Sequence, residues 1–284
     1  MKNTMKKPVA IPVEKLRPFD GHPFKVKDDD EMNTLIESIQ TQGVLSPLIV
    51  RPIENTEEYE VISGHRRLHA AQKAGITEVP ALIYALDRDA AAIAVVDSNL
   101  HREHILPSEK AFAYKMKLEA MKRQGQRSDL TSAPLEPKLK GSRSNEELAA
   151  SSPDSRSQIQ RFIRLTELIP PVLDMVDSGK IAFRPAVELS YLSKEQQQSL
   201  YDTMECEDCT PSLAQAIKMK EFSRDGKLTV EVILSIMQEE KPNQREKPAF
   251  RDERITRLIP KSIPRGQETD FVIRALEFYN RHLQ

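Results

Sequence analysis

The fold of the N-terminal part is decided by one stretch, Tyr59-Glu-Val-Ile-Ser-Gly-His-Arg-Arg67. Its aromatic and β-branched residues predict a strand, Gly64 interrupts that strand, and the residues after it predict a helix. A glycine at such a turn lets the backbone approach a ligand, and the first helical turn offers free amides beside Arg66 and Arg67. We therefore predict an anion site for a phosphate at Gly64. The alternative is that both arginines are solvated first-turn residues.

The segments around this turn predict a small mixed α/β domain. A helix capped by Asp28, Asp29 and Asp30 carries apolar residues at helical spacing and ends at Gly43. The other predicted elements are strands over 48–53, 59–62 and 79–84 and helices over 64–75 and 89–100. The Pro-punctuated stretch 8–23 before them is predicted to be extended.

Composition limits the class of protein. The chain has 284 residues, of which 39% are hydrophobic and 30% charged, which is typical of two or three helix-rich domains. The longest apolar run, residues 90–96, is too short to span a membrane, and the N-terminus lacks the apolar block of a signal peptide. We expect a cytoplasmic protein.

The middle of the chain is basic and helical. Residues 101–166 contain 13 Lys and Arg against 8 Asp and Glu, although the whole chain has a net charge of -1. A helix is predicted from Pro107 to Gly125, followed by a flexible basic linker over 124–144. Ser144-Asn-Glu-Glu147 is a capping box for a short helix, and Ser152-Pro-Asp-Ser155 turns the chain into a second helix over 156–167.

These two helices predict a helix-turn-helix over 144–167, whose second helix reads DNA. Five polar residues lie off its apolar stripe of Ile159, Phe162 and Ile163 and are candidates for base contacts: Arg156, Ser157, Gln158, Gln160 and Arg161. A plain helical hairpin in a bundle is the alternative.

The rest of the chain is predicted to be helical. The helices cover 171–178, 185–192, 194–205, 212–222, 229–240 and 269–282, with a loose polar segment over 241–253. Cys206 and Cys209 cannot close a tetrahedral zinc site alone, so they are incidental thiols or half of an intermolecular site.

A second polar segment, Asp97-Ser-Asn-Leu-His-Arg-Glu103, follows the predicted helix 89–100. Asn99 and Arg102 could close over the same phosphates as the Gly64 turn, or they could simply cap the helix.

Taken in order, these motifs resemble the ParB family of chromosome and plasmid partition proteins, especially its variant on mobile elements. The resemblance runs to about Leu192 and rests on 11–18, 35–51, 59–71, 75–80 and 98–103. It implies an α+β protein: a ParB/sulfiredoxin-like mixed domain over 1–105, an all-α DNA-binding domain over 106–200, and a helical region over 201–284 that is a candidate for oligomerisation.

The resemblance also implies a function and a set of site residues. The family binds a centromere-like site on double-stranded DNA, works with a ParA-type ATPase and closes as a clamp when CTP binds with Mg2+. We therefore expect a homodimer associated with the nucleoid. The nucleotide-binding residues carried over are Gly43, Ser46, Gly64, His65, Arg66, Arg67, Asn99 and Arg102.

Two departures from the family motifs bear on catalysis. His65 and Ser98 stand where the family has glutamates associated with nucleotide turnover, so we expect slow or absent CTP hydrolysis and assign no catalytic residue. An arginine before the first helix is also replaced, with Lys25 or Lys27 as a substitute phosphate partner. The alternatives are a CTP hydrolase or nuclease of the same fold and a ParB-like transcriptional regulator.

The histidines suggest one more alternative. His65 and His69 are one helical turn apart and could share a metal ion, although no aligned carboxylate or thiol accompanies them. We expect no metal site.

Overall fold

The computed structural model describes residues 7–102, 104–131, 148–239, 257–260, 263 and 268–282; of residues 125–131, 268 and 269 it describes the backbone alone. The strands are β1 (Val9–Pro12), β2 (Leu16–Pro18), β3 (Leu48–Pro52), β4 (Tyr59–Ser63) and β5 (Glu78–Ile83). The helices are α1 (Asp30–Gln42), α2 (His65–Lys73), α3 (Arg88–Asp97), α4 (Pro107–Thr131), α5 (Arg156–Arg164), α6 (Pro170–Asp177), α7 (Phe183–Leu189), α8 (Lys194–Glu207), α9 (Leu213–Arg224), α10 (Val230–Met237) and α11 (Glu268–His282). Within these ranges, no helix is both long enough and apolar enough to cross a bilayer.

The five strands form one mixed sheet in the order β1-β5-β3-β4-β2. The pairs β1/β5 and β3/β4 are antiparallel, whereas β3/β5 and β2/β4 are parallel. Val50 lies opposite Val61 at the centre of the sheet. The α+β fold class predicted from the motifs is confirmed.

Helices cover both faces of the sheet because β4 is apolar on both sides. Val61 packs with Met32, Ile39 and Leu68 of α1 and α2. Its neighbour Ile62 points to the opposite face, where residues of α3 and α4 pack. The domain therefore has three layers, and the turn after β4 follows an inner strand of the sheet.

Two strands were missed by the sequence analysis. The stretch 8–23 was predicted to be extended, and the structure places β1 and β2 in it at opposite edges of the sheet. Both strands are three or four residues long and contain proline, which is tolerated at sheet edges. Short edge strands carry a weak periodic signal, so the pattern did not separate them from a loop.

Helix α4 is longer than predicted. It passes through Gly125 and ends at Thr131, so the prediction of a linker starting at residue 124 was wrong for its first eight residues. A glycine inside a helix costs about 1 kcal/mol relative to alanine, so the helix continues through it. The rest of the predicted linker and the capping box at 144–147 lie outside the described residues.

One apolar core joins the helical part. It runs from Tyr114 of α4 through Ile159 and Leu200 to Met237 of α10. Helix α4 also packs Ala120 against the sheet domain. The predicted boundaries at 105 and 200 therefore do not coincide with breaks in packing, and the division into three domains stays a proposal.

Candidate anion site and nucleic-acid interface

Gly64 ends β4 and forms the N-cap of α2 in a left-handed conformation, with φ 105°. A Cβ atom there would lie 3.1 Å from Leu48 Cγ and from Arg67 Nη2. No capping side chain covers the first amides of α2 at this residue. The turn thus has the glycine, the close packing and the amides that the motif predicted.

Arg67 is not a solvated first-turn residue. Its Nη1 donates to the carbonyl oxygens of Ser46 at 2.5 Å and Pro47 at 2.9 Å. Burial of the guanidinium lowers its pKa. In this conformation Arg67 ties the loop between α1 and β3 to the start of α2, which places Ser46 beside the turn.

Arg66 and Arg102 are the two cations next to the turn. Arg66 donates to Glu31 Oε2 at 3.1 Å and lies 3.6 Å from Asp29 Oδ1, both on an exposed edge of α1. Arg102 is exposed and its guanidinium carbon lies 5.8 Å from the Phe24 ring centre. Partial burial, followed by the positive charge of Arg66, lowers the pKa of Arg102. Two cations that repel each other in this way favour a shared anion.

His65 is buried beneath these cations. The Phe19 backbone N–H donates to His65 Nε2 at 3.4 Å, and the ring stacks on His22 with 3.7 Å between centroids. Burial, then the charges of His22 and Arg102, lowers the pKa of His65 to about 3. His65 is therefore neutral at physiological pH.

His22 is the residue that the sequence analysis missed. Its Nδ1 donates to the Phe24 carbonyl at 2.8 Å, while its Nε2 is buried without a hydrogen-bond partner. Burial is the main cause that lowers its pKa, and the Arg102 charge adds to it. The stretch 8–23, which contains it, was predicted only to be extended, so no pattern connected His22 with His65, 43 positions later.

Asn99 and its neighbours end α3. Asn99 is buried, and its amide nitrogen donates to the Val95 carbonyl at 2.7 Å and to Ser98 Oγ at 3.1 Å. Asp97 points away from the turn and pairs with Lys117 at 2.5 Å. In this conformation Asn99 acts as a helix cap, while Arg102 on the following turn reaches His22 and His65 electrostatically.

Gly43 ends α1 with φ 69°, and its missing Cβ leaves open space. The side chains of Lys25 and Lys27 are exposed. Of the predicted nucleotide-binding residues, the structure brings together the Gly64 turn, the Ser46 loop and Arg102.

Among the described residues, no group of three or more His, Cys, Asp or Glu side chains is arranged to hold a metal ion. Asp29 and Glu31 pair with Arg66, and the Glu109 oxygens accept from the Lys25 and Leu106 amides. His69 Nε2 lies 2.8 Å from Asp28 Oδ1, within hydrogen-bonding distance.

Helix α5 carries the predicted DNA-reading residues. Ile159 and Phe162 are buried in the core, while the side chains off that stripe are exposed: Arg156, Ser157, Gln158, Gln160 and Arg161. Ser155 caps the helix by accepting from the Gln158 amide. Of the first predicted helix, residues 148–150 are described and are helical.

The turn before α5 is fixed to α4 by Asp154. This carboxylate accepts from Tyr114 Oη at 2.5 Å and pairs with Lys110 Nζ at 3.0 Å. Burial, then the Asp154 hydrogen bond, raises the pKa of Tyr114 well above its usual range. Because both partners lie on α4, α5 is presented on a rigid support.

Comparison with known proteins agrees with this architecture. Residues 1–100 match the family model of the ParB N-terminal domain, and residues 140–211 match that of the ParB HTH domain. A nucleoid occlusion protein of Geobacillus thermodenitrificans is 31% identical over 239 residues, covering 78% of this chain and 77% of that protein. The chain belongs to the ParB family.

Other ParB relatives match over less of this chain. The chromosome-partitioning protein Spo0J of Thermus thermophilus is 33% identical over 190 residues, which are 66% of this chain and 62% of that protein. A solved structure of a C-terminally truncated ParB from Caulobacter crescentus complexed with CTP-gamma-S is 25% identical and covers 70% of this chain and 98% of that one, with a TM-score of 0.32. At that TM-score, residue positions do not transfer between the two structures.

Proposed function

We propose that this ParB-family protein binds a specific double-stranded DNA site in the partition or maintenance of a plasmid, chromosome or mobile element. The observation that carries the proposal is the surface of α5, where five polar side chains are exposed opposite a buried stripe. Arginine and glutamine make bidentate contacts with guanine and adenine edges in the major groove. The ParB HTH domain match covers this helix.

DNA fragments recovered with the purified full chain would define the site and allow a matched pair of variants. Arg161→Ala should weaken binding to the recovered duplex by about 1–3 kcal/mol if Arg161 reads a base, with a smaller effect on random DNA. Arg224→Ala, at the exposed end of α9, is the control and should bind as the wild type does. Equal affinity of the wild type for recovered and random duplexes would refute the proposal.

We further propose that the Gly64 turn binds CTP, the nucleotide that family membership implies. The support is local: free amides at the start of α2, Arg66 held by two exposed carboxylates, and Arg102 nearby. A triphosphate would take the place of those carboxylates and satisfy both cations. Gly43, Ser46, Arg67 and Asn99 would then shape the surrounding loop and helix end.

Calorimetric titration of nucleotides into the full chain tests this site. We expect CTP to bind in preference to ATP, GTP and UTP, and Arg66→Ala to lower its affinity by about tenfold or more, since charge-assisted hydrogen bonds contribute about 1.5–3 kcal/mol. Arg17→Ala removes an exposed arginine paired with Glu58 and should leave CTP binding unchanged. Failure of CTP to bind at millimolar concentration would contradict the assignment.

We infer that CTP turnover is slow. In the described part of the chain, Asp97 is occupied by Lys117, and neither His65 nor Ser98 supplies a carboxylate that could orient water. Steady phosphate release from CTP, stimulated by the recovered DNA and lost in Arg66→Ala, would instead favour the hydrolase alternative.

The partners remain part of the proposal. A ParA-type ATPase and a homodimer follow from family membership, and a regulator without a partition role is the alternative. Loss of a plasmid that carries the recovered site, when this protein is removed, would distinguish partition from regulation.

A further inference from the structure

His22 and His65 form a stacked pair of neutral imidazoles under two cations. Their ring centroids are 3.7 Å apart, and the Arg102 charge acts on both rings. Arg66 acts in turn on Arg102. This arrangement disfavours protons on either ring as long as no anion neutralises Arg102.

The two rings differ in the hydrogen bond that protonation would break. The Phe19 amide donates to His65 Nε2, so that atom holds a lone pair and a proton there would break the bond. His22 Nδ1 faces a carbonyl oxygen and must carry its hydrogen, which leaves Nε2 as a buried acceptor without a partner. An added proton therefore costs no hydrogen bond at His22 Nε2.

We propose that anion binding at the α2 N-terminus is coupled to uptake of one proton at His22 Nε2, so that nucleoside triphosphates bind more tightly as pH falls. The inference rests on the proposed CTP site. A polyphosphate between Arg66 and Arg102 would reverse the local field, because several negative charges would then lie beside Arg102, whose positive charge opposes a proton on His22. The protonated ring would then have an anionic acceptor and add one more cation to the site.

The other charged groups around His22 do not supply this reversal. Glu109 of α4 favours the proton, but both its oxygens accept from backbone amides. Asp20, two residues before His22, pairs with Arg88 of α3. Of the cations, Arg102 after α3 opposes the proton on His22. Arg66 of α2 already pairs with Asp29 and Glu31. The balance therefore depends on whether Arg102 is neutralised.

Calorimetry in buffers with different ionisation enthalpies measures the protons taken up when CTP binds to the full chain. We expect net uptake by the wild type between pH 6 and 7.5 and a smaller value for His22→Gln, which keeps a polar side chain that does not titrate. Because the triphosphate itself titrates near pH 6, the difference between wild type and variant is the informative quantity. His69→Gln, on α2 with His65 but bonded to Asp28, should match the wild type.

The pH dependence of affinity gives a second readout. One linked proton tightens the dissociation constant by at most about tenfold per pH unit, and we expect the His22→Gln profile to be flatter than the wild-type profile. The His22 ring resonances, followed by NMR in the wild type, should titrate at higher pH once CTP is bound. That measurement does not depend on the variant folding.

The outcomes separate this inference from the proposed function. CTP binding with equal proton uptake in wild type and His22→Gln, or with no CTP-dependent change in the His22 titration, would overturn the coupling and leave the CTP site standing. Proton-coupled binding of inorganic tripolyphosphate without a preference for CTP would support the coupling and refute the CTP assignment. Failure of both ligands to bind would overturn both.

Discussion

Gly64 carries two constraints at once, a positive φ and a crowded Cβ position. Gly64→Ala should destabilise the chain by about 1–3 kcal/mol from backbone strain, and more if Leu48 and Arg67 cannot move away. Gly75→Ala is the matched control, since its φ is 71° but nothing lies within 4 Å of the added methyl. The stability lost in Gly75→Ala should be about 1–2 kcal/mol. Urea unfolding measures both, and equal costs would mean that the close packing at Gly64 has no energetic weight.

His65 should make stability depend on pH. Its pKa is about 3 in the folded chain against 6.5 for an unburied histidine, so folding favours the neutral ring. That stabilisation is complete above pH 6.5 and is lost as pH falls toward 3, by up to about 1.4 kcal/mol per pH unit. Between pH 7 and 5 the wild type should lose about 2 kcal/mol more than His65→Gln. The measurement is the free energy of unfolding in urea at both pH values. An identical loss in both proteins would contradict the prediction. His101 is exposed, and the control variant His101→Gln should lose the same free energy as the wild type.

At the scale of elements, α4 connects the sheet domain to the helix-turn-helix. Lys117 of α4 has a side chain that is 2% exposed, and it donates to Asp97 at the end of α3 and to Ser151 before α5. Asp97 is 46% exposed. Mutation of Asp97 and mutation of Lys117 should therefore differ in their effect on stability. A charge that loses its counter-charge destabilises the fold most where water is excluded.

Asp97→Asn should destabilise the chain more than Lys117→Met does. The first substitution leaves a buried ammonium without its counter-charge, whereas the second leaves a half-exposed carboxylate beside an apolar side chain of similar length. We expect about 2–4 kcal/mol for Asp97→Asn and less than about half of that for Lys117→Met. Thermal and urea unfolding measure the difference, and the reverse order would show that the ammonium is solvated.

At the scale of the whole molecule, the described core ends at α10. Gln215 of α9 donates to the carbonyls of Ile236, Met237 and Glu239. These hydrogen bonds hold the C-terminal end of α10 against α9. On α11 the apolar stripe is exposed, with Ile273, Leu276 and Tyr279 about half open to solvent. The two parts of the C-terminal region thus contribute differently to folding.

Removal of residues 241–284 should therefore leave the thermal unfolding midpoint within about 2–4 °C of the full chain, the shift expected for 1 kcal/mol in a domain of this size. We expect the shortened chain to lose self-association, because the exposed stripe of α11 is removed with it. Light scattering measures the association state. A shortened chain that unfolds much earlier would place part of the core beyond residue 240.

Local patterns determined most of the elements. Asp29 caps α1, Ser155 caps α5, and the periodic stripe of α5 is buried as predicted, because capping and helical periodicity act over a few residues. The order of the family motifs determined the fold class and the location of the Gly64 turn. Proline-containing edge strands were beyond these patterns, since their pairing partners lie more than 40 positions away.

Tertiary structure alone decided which polar side chains contact each other and which backbone groups they bind. It set Arg67 against two carbonyls, Asp97 against Lys117 and His22 against His65. These contacts depend on how α2, α3 and the segment before α1 pack around the sheet. The spacing of the residues along the chain does not predict which of them come into contact. The sequence by itself therefore determined the elements, the family and the candidate residues. Packing decided which of those residues meet, because long-range contacts are set by the burial of apolar faces rather than by local propensity.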